Sequence, residues 1–141
     1  MNVVSLPEIK TEVMRLAGLI GADKAFYIPN FGGYKHGGDD EYCVEVGALG
    51  YHYFYIERGI KTTQVTTDDL DELLYAVFDP ITHELASQYA RQHRNHNQDP
   101  RRLIFQKQVE LMAVLSSKWS EKKASEHNKI LAYAPYNDTI G

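Results

Sequence analysis

An α+β fold is predicted by a hydrophobic period that changes twice along the chain. Apolar residues recur at three- and four-residue spacing from Leu6 to Ile20, alternate from about Ala25 to Thr66, and return to helical spacing from Leu70 to Leu131. The alternating segments are joined by turns too short to hold a crossover, so their strands run antiparallel. The helical segments lie at the two ends and do not alternate with strands, which separates this chain from the α/β class. The expected architecture is an N-terminal helix, a small antiparallel β-meander and a helical C-terminal half of three to four helices. All of it is read as one domain over residues 1–141.

The first helix begins at Ser5, an N-cap followed by Pro7 and by Glu8, which can reach back to the cap. Leu6, Ile9, Val13, Leu16, Ala17 and Ile20 form its apolar stripe, and Gly18 or Gly21 ends it. Phe26 to Ile28 reads as a short strand and Phe31 to Asp40 as a glycine-rich loop. Tyr42 to Val46 and Tyr51 to Glu57 read as strands joined through Gly47 to Gly50, and Arg58-Gly59 turns the chain into a threonine-rich strand, Lys61 to Thr66. On the middle strand Tyr51, Tyr53 and Tyr55 share one face, and His52, Phe54 and Ile56 the other. Both faces are largely apolar or aromatic. One is expected to meet the helices, the other to be partly covered or left for a partner.

Thr67 is the expected cap of the next helix, with Asp68, Asp69 and Asp71 placed where the helix dipole favours negative charge. Leu70, Leu73, Leu74, Val77, Phe78 and Ile81 are its buried side, continued by Leu85, Ala86 and Tyr89; Pro80 either kinks it or restarts it from Asp79. Asp99-Pro100 starts a third helix with Ile104, Phe105, Gln108, Leu111, Met112 and Leu115 inward. A fourth runs from about Lys118 to Tyr133, with Trp119, His127, Ile130 and Leu131 on one side and Pro135 as its stop.

The charge is divided unevenly. Residues 1–84 carry 14 acids against 6 Lys and Arg, and residues 85–141 carry 9 bases against 5 acids. A division of this kind can orient a charged partner, though two solvated faces account for it equally well. The pI near 5.8 lacks the basic footprint of a nucleic-acid-binding domain. No apolar run approaches the ~20 residues of a membrane helix. No secretory signal is read at the N-terminus, and Cys43 is alone, so a reducing, cytoplasmic home is expected.

Catalytic chemistry finds little support. His83-Glu84 has the opening of a zinc-protease motif, but position 87 is Ser87, so the second imidazole is missing. His93 and His96 stand near Arg91 and Arg94 without a third ligand beside them. The loop from Gly32 to Gly38 lacks phosphate-loop spacing and precedes a strand; with Phe31 and Tyr34 it suits an adaptable recognition loop. No metal and no cofactor are expected. Asp68, Asp69, Asp71 and Glu72 read first as a solvated helix start. The run from Asp68 to Glu84 nevertheless holds six acids and no Lys or Arg, which also suits mimicry of an anionic ligand. Ten tyrosines serve sheet packing or an interface.

Several segments together resemble the immunity protein 63 family of bacteria, encoded beside polymorphic or contact-dependent toxins. They are Gly50-Tyr51-His52-Tyr53, Glu57-Arg58-Gly59, Asp69-Leu70-x-x-Leu73-Leu74-Tyr75-x-Val77-Phe78, Asp99-x-Arg101-Arg102-x-x-Phe105-x-x-Gln108, Leu111-Met112, Trp119, His127-x-x-Ile130-Leu131 and Pro135-Tyr136-x-Asp138. The resemblance covers Tyr51 to Asp138. It implies a cytoplasmic, non-catalytic α+β protein that binds and neutralises a cognate toxin domain.

On this reading Glu57, Arg58, Gly59, Asp99, Arg101, Arg102, Phe105, Gln108 and Trp119 are structural, and Arg101 or Arg102 should pair with a carboxylate such as Glu57 or Asp99. The toxin-binding candidates are Tyr34, Asp39, Asp40, Glu41, Asp68, Asp69, Asp71 and Glu72, with a basic nuclease as one possible toxin. Neither nucleic acid nor membrane is an expected partner. Two alternatives remain open: a small hydrolase using His83 and Glu84, and a nucleic-acid-binding module using the basic segment from Arg91 to Arg102.

Overall fold

A computed structural model describes residues 4–24, 27–32 and 40–140. The order of elements is α1 (Leu6–Leu19), β1 (Asn30–Phe31), β2 (Glu41–Gly47), β3 (Gly50–Glu57), β4 (Ile60–Thr67), α2 (Leu70–Gln92), α3 (Arg101–Leu115), α4 (Ser117–Tyr133) and a terminal 3-10 turn, Asp138–Ile140. This is an α+β protein: a helix, a four-stranded sheet and three further helices. The chain divides into two compact units, Met1–Ile81 and Thr82–Gly141, and the division falls inside α2 just after Pro80.

In the first unit, α1 starts at a complete capping box, with Ser5 and Glu8 each accepting from the other's backbone N–H. It ends in a Schellman arrangement, where Ala22 N donates to Ala17 O (2.8 Å), Gly21 N donates to Gly18 O (3.4 Å), and Gly21 takes φ 68°. Ile9, Val13, Leu16 and Ala17 are its buried stripe, and the helix packs against β1 and β2.

The sheet order is β1-β2-β3-β4. β2, β3 and β4 form the expected antiparallel meander, to which β1 adds a two-residue strand running parallel to β2. The first strand lies later than the alternation suggests: Asn30 and Phe31 are paired, while Tyr27 and Ile28 are not in a strand. Phe31 thus belongs to the sheet, and residues 33–39 of the glycine-rich loop lie outside the described residues.

Both faces of β3 are buried, with Tyr51, Tyr53, Phe54 and Ile56 each at most 3% exposed. On one face Tyr42 stacks on Tyr53 and meets Tyr55 and Tyr27, and Tyr51 Oη accepts from Val4 N at 2.9 Å. On the other, Cys43, Phe54 and Ile56 cluster, and burial pushes the Cys43 thiol up to about 11. The Arg58-Gly59 turn has positive φ at both residues (52° and 77°), the geometry of a tight type I′ hairpin.

The cap of α2 is Asp69, not Thr67. Asp69 Oδ1 accepts from the N–H groups of Asp71 (2.9 Å) and Glu72 (3.3 Å), and Leu73 N donates to Asp69 O. Thr67 acts one step earlier, its hydroxyl accepting from Asp69 N and donating to Glu72. Pro80 lies inside α2 and does not end it, so the helix is one element over 23 residues.

In the second unit, α3 and α4 form a hairpin around Ser116, whose hydroxyl accepts from Trp119 N while Ser120 Oγ donates to Val109 O. Trp119 is buried at 4% exposure. Gln108 Nε2 donates to Thr82 Oγ1 (3.1 Å), and its Oε1 accepts from His127 Nε2 (3.0 Å), a buried polar chain across the helices. Ile130 departs from its expected inward place and is exposed.

Candidate functional site

The residues singled out in sequence fall into two groups. The first is acidic and belongs to the unit built on the sheet. Asp68 and Asp69 are exposed between β4 and α2, Glu72 is exposed one turn into the helix, and Asp71 is half-buried. Asp69 spends its carboxylate on two backbone N–H groups and Glu72 accepts from Thr67, so the carboxylates are partly ordered by the helix start itself. Asp40 is exposed before β2. Glu41 is half-buried and accepts from the Asn30 side chain, bracing the parallel β1–β2 pair. Tyr34 and Asp39 lie outside the described residues.

The second group is the run from Asp99 with the tail beyond α4. The Asp99 carboxylate, 1% exposed, accepts from Arg101 Nη2 (2.9 Å) and Nε, from Arg101 N (3.0 Å) and from Asn137 N (2.9 Å). The Arg101 guanidinium and these N–H donors hold its carboxyl far below the usual range, against the opposing effect of burial. Arg101 also donates to the carbonyls of Ala134 (2.9 Å) and Pro135 (2.8 Å). Arg102 forks onto Asp138 at 2.8 and 3.0 Å, and Asp138 accepts in turn from Asp99 N (2.9 Å). Tyr136 lies under the Arg102 guanidinium, 4.3 Å from its centroid.

The arginines in the first turn of α3, where the dipole disfavours cations, are thereby neutralised by Asp99 and Asp138, and together they clasp the tail. Asp99 is the anticipated partner of Arg101; Asp138, 36 residues from Arg102, is beyond what spacing can reveal. A cleft of about 590 Å³ opens beside the clasp between α3 and α4, walled by Phe105, Val109, His127, Leu131 and Tyr136. Phe105 stacks on His127 at 3.9 Å.

The motif residues Glu57, Arg58 and Gly59 sit at the β3–β4 turn, all exposed. His83 is exposed on α2, and its neighbour Glu84 accepts from Gln88 (3.1 Å) and lies 3.6 Å from Arg91. His93 stacks on Tyr89, and His96 Nδ1 accepts from Arg94 Nε. Among the described residues no three His, Cys, Asp or Glu side chains gather where they could hold a metal ion, and no helix is long and apolar enough to cross a membrane.

A profile of immunity protein 63 matches residues 47–129, more than half of the chain. The protein belongs to the immunity protein 63 family. No curated protein and no solved structure matches it. The matched span takes in β3, β4, α2, α3 and most of α4, and it stops before Tyr136 and Asp138.

Proposed function

We propose that this chain is a cytoplasmic immunity protein that binds a cognate bacterial toxin domain one to one and blocks it, turning over no substrate of its own. The observation that carries this reading is the family match over residues 47–129. The burial of Asp99, Gln108 and Trp119, and the pairing of half-buried Arg101 with Asp99, fit a scaffolding role for these family-motif residues. It leaves recognition to surfaces free to differ between toxins.

The proposed contact surface is the acidic start of α2 (Asp68, Asp69, Asp71, Glu72), with Asp40, Glu41 and the loop residues Tyr34 and Asp39. Asp40 and Asp68 supply exposed carboxylates, while Asp69 and Glu41 add charge as they hold a helix start and a strand pair. Such a surface complements a basic toxin, for example a nuclease. Stable inhibition would bury roughly 1,600 Å² with a few anchors carrying most of the energy. The decisive experiment is co-expression with the toxin domain encoded beside the gene. Restored growth and a co-purifying 1:1 pair are expected; cells that die at the same rate with or without this protein would reject the reading.

A further inference from the structure

The turn between β2 and β3 borders an open recess of about 450 Å³, walled by Glu45, Leu49, Tyr51, His52 and Thr66. Register explains its polar side. Glu45 stands opposite His52, and His52 opposite Thr66, so one row across β2, β3 and β4 puts the three on one face of the sheet. The His52 ring is already committed: its Nε2 lies 3.0 Å from Thr63 Oγ1, and its centroid 4.8 Å from that of Phe54. Leu49 is the apolar side, 80% exposed at the tip of the turn.

Glu45 is the anomaly. It is half-buried, yet among the described residues its carboxylate joins no hydrogen bond and no ion pair. Glu41, on the same strand and equally half-buried, accepts from the Asn30 side chain. A carboxylate drawn partly out of water without a donor is costly to keep, and a guanidinium would return two parallel N–H bonds to it. The strands that carry the recess and the start of α2 supply no such cation, because residues 41–57 and 64–84 contain neither Lys nor Arg. The acidic start of α2 adjoins the recess: a Cβ on Gly50 would stand 2.7 Å from Thr67 O and 3.0 Å from Asp68 Cα. A cation approaching this end of the sheet therefore meets carboxylates around an apolar tip.

We infer that the recess seats one arginine side chain of the toxin, its guanidinium paired with Glu45 and its aliphatic stem lying along Leu49; this rests on the toxin reading and adds to it the side chain taken and the pocket that takes it. A lysine would bring a strongly hydrated point charge. The planar guanidinium is less hydrated, fits beside the His52 ring and has donors for both Glu45 and the Thr66 hydroxyl. An arginine held in a pocket, with acids around its rim, is the form in which few residues carry most of an interface's energy.

The test is a double-mutant cycle between the full chain and the toxin domain encoded beside the gene, read by calorimetry. Glu45→Gln keeps the shape of the side chain and removes its charge, and should raise the dissociation constant about tenfold or more. Leu49→Ala, on an exposed turn, should raise it about threefold. With each toxin arginine changed to alanine in turn, one variant should lose about tenfold against wild type and little more against Glu45→Gln. Glu57→Gln, at the far end of β3, should leave the affinity unchanged, and thermal melts by circular dichroism verify that each variant is folded. A wild-type complex indifferent to Glu45→Gln or to Leu49→Ala overturns the proposal and leaves the toxin reading standing, as does a toxin in which no arginine couples to Glu45. A wild-type chain that fails to bind the toxin at all removes the toxin reading, and this pocket assignment with it.

Discussion

At the scale of single residues, Asp99 has the greatest consequence in the helical unit. Its carboxylate is ionised in the fold and held by five N–H contacts, with its folded pKa depressed below the unfolded value near 4. A depressed carboxylate contributes stability that is present above the unfolded pKa and is lost as pH falls through the folded one. Acid titration followed by circular dichroism should therefore show the helical unit weakening below about pH 4, and Asp99→Asn should flatten that dependence. The same substitution should cost about 1–3 kcal/mol at neutral pH, since donors aimed at a carboxylate lose an acceptor. Tyr53 points the other way. Its hydroxyl is buried with no hydrogen-bond partner among the described residues, and burial raises its pKa further. Tyr53→Phe should be neutral or stabilising by up to about 1 kcal/mol in urea denaturation. Trp119→Ala should lose about 3–5 kcal/mol by the same measurement, because the buried indole leaves a cavity between the helices.

At the scale of elements, two glycines fix the meander. Gly50 has φ 110°, and a Cβ there would stand 2.7 Å from Thr67 O, backbone that cannot give way without moving β4. Gly50→Ala should thus lower the melting temperature more than Gly59→Ala, where φ is 77° but the space is open. Local chemistry made most elements legible in the sequence. The capping box at Ser5, the Arg58-Gly59 turn and the stripe from Leu70 to Ile81 are signals carried within a few residues. What the sequence hides depends on pairing at a distance. β1 is two residues long and parallel, held by Asn30 and Glu41 eleven apart, and periodicity cannot register it. Thr67 and Asp69 are both good caps, and in the fold Asp69 takes the helix N–H groups while the Thr67 hydroxyl accepts from Asp69 N. Pro80 is compatible with a break or with continuity, and burial on both sides of it (Phe78, Ile81) keeps α2 in one piece.

At the scale of the whole molecule, the family was legible in the sequence but a binding surface was not. Among the motif residues, Asp99, Gln108 and Trp119 are buried and Arg101 is paired with Asp99, whereas Glu57, Arg58 and Gly59 are exposed at a turn. The clasp's second half, Asp138, comes from a tail that no spacing rule ties to Arg102. The acidic positions are visible as composition, yet their roles differ once folded: Asp69 caps, Glu41 braces and Asp68 faces solvent. If the exposed members steer a basic toxin, the association rate should fall steeply with added salt, while dissociation changes little. Stopped-flow mixing at two or three ionic strengths measures this directly. Reversing the exposed Asp68 and Glu72 to Lys should slow association, and salt-independent rates would remove the acidic surface from the mechanism.

The exposed ring of Tyr133, 95% accessible at the end of α4, stands just before the clasped tail. An enzyme that cuts behind aromatic residues has a ready foothold there. A molecule nicked at that point keeps every position of the matched span, 47–129, and would pass inspection by sequence alone. It would nonetheless have shed Tyr136 and Asp138, leaving Arg102 without its counter-ion and Asp99 with fewer donors. Mass spectrometry across residues 134–138 thus shows whether a preparation keeps the clasp, and a polypeptide joined beyond it should be separated by a flexible spacer.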